Sequence, residues 1–132
     1  MVFESDFFQK REFTKEQINK YFINTERDLK IAESAHESEV IFTFAYQAFL
    51  KLGITLIAFN GHKVKSRQGH HVKIIEKMSE ILKDKKVLLH GEAMRRKRNM
   101  DLYAEGTVVP KKEAMEYLNF IRKIHGKIKK II

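Results

Sequence analysis

The sequence predicts an all-α domain, an up-and-down bundle of four to five helices, and three observations carry that expectation. Apolar residues recur at three- and four-residue steps along most of the chain. A single proline, Pro110, interrupts it, and the six glycines fall mostly between the periodic segments, where short loops belong. With 132 residues the chain has the size of one domain, able to bury about two-thirds of its unfolded surface. No repeat, low-complexity tract or linker divides it, so residues 1–132 read as one unit with residues 1–13 as an N-terminal extension.

The first helix is expected to begin at Thr14, because Thr-Lys-Glu-Gln sets Thr14 and Gln17 at the spacing of a capping box. Ile18, Tyr21, Phe22, Leu29 and Ala32 then form its apolar face. A second helix runs from about Glu37 to Asn60, with Gly61 placed to take the left-handed conformation that ends it. Val40, Ile41, Phe44, Ala45, Phe49, Leu52, Leu56 and Phe59 cover nearly its whole circumference. A helix apolar all round has to be buried all round. In so short a chain one bundle layer covers only part of it, which predicts a homodimer through this helix.

Asn60 to His71 reads as a polar loop carrying His62, Lys63, Lys65, Arg67, His70 and His71. The third helix follows to about Leu82, buried through Ile74, Ile75, Met78, Ile81 and Leu82. A fourth runs from about Val87 to Tyr103. Pro110 suits the first turn of a fifth, which needs no amide there, and its stripe is Ala114, Tyr117, Leu118, Ile121, Ile124, Ile128 and Ile131.

Composition narrows the function. The absence of cysteine excludes disulfides and thiolate chemistry and fits a reducing cytoplasm. The first thirteen residues interleave Glu4, Asp6, Lys10, Arg11 and Glu12 with aromatics, unlike the apolar core of a signal peptide. Val40 to Phe59 is long enough to span a membrane, but Gln47 and Lys51 near its centre favour a buried helix, since a mid-span Lys costs about 2.5–3.5 kcal/mol. Net charge is +9, and it is uneven: residues 1–60 hold 7 Lys/Arg against 9 Asp/Glu, residues 61–132 hold 19 against 8. That polarity points to an anionic partner, with nucleic acid foremost.

The chemistry concentrates in Met94-Arg95-Arg96-Lys97-Arg98-Asn99-Met100-Asp101-Leu102-Tyr103. On a helix, Arg95, Arg98, Asn99 and Tyr103 share one polar stripe, offering guanidinium forks for phosphate, an amide and a phenol. Asp101 stands at pairing distance from Lys97 and Arg98. Arg96 and Lys97 are expected to face water. His70 and His71 open the third helix, where imidazoles cap, pack or serve a site. As a metal pair they fail, because adjacent side chains diverge and no third ligand follows at the required spacing. His62, His90 and His125 read as packing or surface residues, and Glu76 and Glu80 as solvated carboxylates. No glycine-rich phosphate loop, Gly-x-Ser-x-Gly elbow or His-Glu-x-x-His signature is present, and no cofactor is expected.

From about Tyr21 to Ile132 the chain resembles the HEPN domain family, in particular its short stand-alone prokaryotic members found beside a minimal nucleotidyltransferase. The resemblance lies in Glu26-Arg27-Asp28-Leu29-Lys30-Ile31-Ala32, Phe44-Ala45-Tyr46-Gln47-Ala48-Phe49-Leu50-Lys51, Gly69-His70-His71, the Arg95–Tyr103 segment and the last amphipathic helix. It implies a dimeric bundle whose subunits share a polar cleft. Ribonuclease members carry an Arg followed four to six residues later by a His, and work without metal. Arg98 matches that Arg and Asn99 the polar residue after it. Tyr103 stands where the shortest spacing places the His, and no His occurs from Gly91 to Ile124. A phenol with a pKa near 10 is a poor base at neutral pH.

Three readings follow: a module binding RNA or a nucleotide through Arg95, Arg98, Asn99, Asp101, Tyr103 and His70; a metal-independent endoribonuclease, the toxin of a toxin–antitoxin pair, using Arg98 with Tyr103 or His71; and a helical partner of a nucleotidyltransferase.

Overall fold

The computed structural model describes residues 1–103 and 109–132, the side chains of residues 101–103 excepted. Among them lie β1 (Phe8–Lys10), α1 (Lys15–Ser34), α2 (Ser38–Phe59), β2 (His62–Val64), α3 (His70–Leu82), α4 (Lys85–Tyr103) and α5 (Lys111–Ile131). The protein is an all-α helical bundle with one small two-stranded ribbon.

Local chemistry sets most of the boundaries. The Thr14 hydroxyl accepts from the Gln17 amide at 3.1 Å while the Thr14 amide donates to the Gln17 side chain at 2.9 Å, closing the capping box that starts α1. Gly61 takes φ +76° just past α2. Pro110 sits at the N-cap of α5 with φ −62° and ψ 154°, one residue ahead of the first turn where it was expected.

α2 occupies the centre. It packs against every other helix and against β2, and Ile41, Phe42, Ala45, Tyr46, Phe49, Leu52, Leu56 and Ile57 are all buried. Its length and composition would allow a membrane span, but two-thirds of the apolar stretch is buried inside the protein, so it is a core helix. The homodimer was expected because this circumference seemed too large for one chain to cover. Within one chain α2 is mostly enclosed, with Val40, Phe44 and Ile54 half-buried and Phe59 at its end exposed. Ile131, expected in the α5 stripe, is likewise exposed at the last residue of its helix.

A buried Asp28 on α1 pairs with Lys51 on α2 at 2.7 Å, joining two of the segments on which the family resemblance rests. His125 stacks on Phe22 with ring centres 4.6 Å apart, and His90 lies against Phe120 at 4.4 Å, so both are packing residues as expected.

The N-terminal segment is not an extension. β1 pairs antiparallel with β2 in the register Phe8↔Val64, Gln9↔Lys63, Lys10↔His62, so the polar loop expected from Asn60 to His71 contains a strand. Two three-residue strands carry too little periodicity to be read locally, and their partners stand more than fifty residues apart. Lys77 of α3, almost wholly buried, secures the segment. Its ammonium donates to the Val2 carbonyl and to Glu80 at 2.9 Å, and lies 4.7 Å and 5.5 Å from the centres of the Phe3 and Phe8 rings.

Two glycines let the central layers close. Gly53 on α2 faces Ile74 and Met78 of α3, and Gly91 on α4 faces Ile75 and Phe49. A Cβ at Gly91 would stand 2.5 Å from Ile75 Cγ2 and 3.0 Å from the Phe49 ring. In an open helix Gly→Ala gains about 1 kcal/mol. Here overpacking costs about 1–3 kcal/mol, so Gly91→Ala is expected to lower the midpoint of chemical unfolding with the slope unchanged. An unchanged or higher midpoint would show that α4 is free to move outward.

Candidate functional site

The start of α3 is built to leave donors unsatisfied. Gly69, in the left-handed conformation at φ +85°, is its N-cap and brings no side-chain oxygen to the helix, and no acidic residue occupies the first turn. The amides of His71 and Val72 lie too early in the helix for any intrahelical carbonyl to reach them. The helix dipole adds partial positive charge at the same place.

This helix end opens into a concavity of about 530 Å³, lined by residues 66–72 of the preceding loop and first turn together with Arg95 and Asn99 of α4. α3 starts here because contacts advance in the same order along α2 and α3: Tyr46 meets His71, and Gly53 meets Ile74 and Met78. The chain must return along α2 after Phe59 before α3 begins, and β2 lies on that return. The loop is shaped by the N-terminal segment. The Lys65 amide donates to the Phe7 carbonyl at 2.7 Å, the Lys65 ammonium to the Ser5 carbonyl at 2.7 Å, and the Arg67 guanidinium to the Asp6 carbonyl at 2.8 Å while lying 5.1 Å from the centre of the Phe7 ring.

Of the residues expected to form a site, His70, His71, Arg95 and Asn99 line this one hollow. Arg98 lies beside it, its guanidinium carbon 5.9 Å from the centre of the Tyr46 ring. The side chains of Asp101 and Tyr103 fall outside the described residues. Arg95 is less available than its position on the stripe suggested, because Glu92 grips it through Nε at 3.3 Å and NH2 at 3.1 Å; that carboxylate raises the guanidinium pKa further. Lys97, expected to face water, instead reaches Glu113 on α5 at 2.7 Å, while Arg96 is exposed as anticipated.

Below the hollow lies a pair the sequence did not single out as a site. Tyr46 is buried to 1 % exposure, and its hydroxyl stands 3.4 Å from His71 Nδ1. Burial pushes the phenol up to about 12 against the pull of Arg98 and Arg95. It also pushes His71 down to about 4, with His70, Arg98 and Arg95 adding repulsion. At neutral pH both groups are uncharged, and they share a hydrogen bond whose direction is set by the imidazole tautomer. His70 bonds back to the loop, its Nδ1–H donating to the Arg67 carbonyl at 2.6 Å.

The hollow thus combines backbone amides, an amide side chain and cations from separate elements around an uncharged floor, a set of groups suited to an oxyanion. Among the described residues, no three His, Cys, Asp or Glu side chains gather to hold a metal. Ser66, Gln68 and Tyr46 were missed. The first two stand in a loop without periodicity, and Tyr46 is hidden by the apolar residues around it on α2. Compared with family models, curated proteins and solved structures, the chain matches none.

His71 gives a pH prediction. Its folded pKa of about 4 lies below the unfolded value near 6.5, so between those values the unfolded chain binds the extra proton. Stability should therefore fall as pH drops from about 6.5 to about 4 and level off below. His71→Gln removes this contribution, so denaturant titrations at pH 7, 5.5 and 4.5 should show a smaller loss in the variant. Equal losses would mean that His71 titrates as a solvated imidazole.

Proposed function

We propose that this protein binds a phosphate-bearing ligand, RNA or a nucleotide, in the hollow at the start of α3. One observation carries the reading. Free amides at an uncapped helix start meet Arg95 and Asn99 of another helix in a concavity of about 530 Å³, with Arg98 beside it. A phosphate accepts from backbone amides and guanidinium forks together, and helix starts favour its charge. The excess of +11 in residues 61–132 would draw a polyanion toward this half of the sequence.

Binding without cleavage is favoured over the endoribonuclease reading. A general base works best with a pKa near the working pH, and His71 at about 4 is a weak one. The Arg98 motif also lacks its own histidine. Membership of the HEPN family, the homodimer, a toxin role, a nucleotidyltransferase partner and a cytoplasmic setting belong to the same proposal and rest on the sequence resemblance and composition. Sedimentation velocity over a range of concentrations decides the dimer.

Fluorescence anisotropy with a labelled oligoribonucleotide tests the reading. Affinity should fall steeply with salt as phosphates release counterions. Arg98→Ala should cost about tenfold or more, since hydrogen bonds to charged groups contribute about 1.5–3 kcal/mol. A bound anion stabilises the imidazolium, so binding should tighten from pH 7 to pH 5 in the wild type and not in His71→Gln. In chelator both wild type and Arg98→Ala should leave the RNA intact. Affinity indifferent to salt would sink the proposal, and cleavage that disappears with Arg98→Ala would replace it with the ribonuclease.

A further inference from the structure

We infer that a second hollow, at the far end of the β1–β2 ribbon, takes a nucleobase of a single-stranded polynucleotide whose phosphate sits at the start of α3. The inference rests on the reading above. The ribbon joins the two places without a break. Beyond the register Phe8↔Val64 to Lys10↔His62, backbone bonds continue at one end from the Lys65 amide to the Phe7 carbonyl and at the other from the Arg11 amide to the Gly61 carbonyl at 2.9 Å, and the Arg67 guanidinium reaches the Asp6 carbonyl. Arg67 walls the first hollow and Arg11 the second. Between the turn that holds Asp6 and the end at Arg11, β1 runs extended over Phe8–Lys10 at roughly 3.3 Å per residue.

The second hollow, about 240 Å³, is walled by Arg11, Phe13, Gln17, Lys20, Tyr21 and Asn24. The Arg11 guanidinium lies 5.0 Å from the centre of the Phe13 ring, and Phe13 meets Tyr21 edge to face at 5.7 Å and 72°. Aromatic and guanidinium planes are what unpaired bases stack on. Gln17 is committed to the helix cap, whereas the exposed Asn24 offers a donor and an acceptor to a base edge.

Between the hollows, Lys63 of β2 and, just past the strand, Lys65 and Arg67 are exposed, the last two also donating to the Ser5 and Asp6 carbonyls. Asp6 and Glu12 are the exposed acids beside this line. A ligand with a planar group at one end and repeated negative charge along its length matches the arrangement. A duplex does not, because its bases are stacked away.

Anisotropy with labelled single-stranded RNA separates this inference from the reading it rests on. For a dodecanucleotide, Phe13→Ala should lose about tenfold in affinity. Phe13→Leu, which retains an apolar side chain but cannot stack, should lose about as much, and Phe13→Tyr should stay near wild type. A 5′-phosphorylated dinucleotide, too short to span the ribbon, should bind the wild type and all three variants alike, which also reports that they fold. A duplex of the same length should bind more weakly than the single strand. If the dodecanucleotide binds Phe13→Ala and Phe13→Leu as tightly as wild type while Arg98→Ala still weakens it, the second hollow takes no base and the phosphate reading stands. If the wild type binds neither ligand, both fall.

Discussion

The structure depends on the burial of α2. Its twenty-two residues run from Ser38 to Phe59 with apolar side chains on every side, and each large one removed from water contributes about 1.5–3 kcal/mol. No arrangement with α2 at an edge satisfies that demand, so the other four helices and β2 are disposed around it. Close approach on the α3 and α4 side requires Gly53 and Gly91, where the facing side chains leave no room for a Cβ. The buried Asp28–Lys51 pair between α1 and α2 fits the same constraint: the carboxylate is inside, and the ammonium that neutralises it reaches in from a half-exposed position.

Burial of α2 also creates the floor of the site. Tyr46 is enclosed because its helix is, and its hydroxyl must find a partner; the partner is His71, at the start of the next helix. Low polarity around the pair keeps the phenol protonated and the imidazole neutral. The cations above them therefore face an uncharged floor, and their field extends into the hollow. A neutral base leaves these guanidinium groups without a counter-charge from below, although Glu92 takes part of the charge of Arg95 from the side.

The N-terminal segment supplies the remaining wall. Lys77 holds Val2, Glu4 and Glu80 beneath the Phe3 and Phe8 rings, and the backbone thus fixed gives its carbonyls to Lys65 and Arg67. Without those anchors the loop before α3 would lack the partners that fix its path. A segment that looks dispensable by position is thereby part of the site's geometry.

The sequence by itself determined the helices and the faces they bury. Thr14 and Gln17 start α1, Gly61 ends α2, and the stripes of α1, α3 and α5 face the core as their spacing requires, with Tyr21, Ile81 and Leu82 half-buried and Ile131 exposed. These signals act over a single turn or repeat every turn, so neighbouring residues carry them. The basic stripe of α4 was legible for the same reason, and so was the suitability of Arg95, Arg98 and Asn99 for an anion. Only the tertiary structure decided how much of α2 one chain covers, that residues 8–10 pair with 62–64, that Tyr46 meets His71, and that Glu92 rather than solvent holds Arg95. Each of these depends on a distance across the fold or on competition among several partners within reach, and a linear pattern records neither.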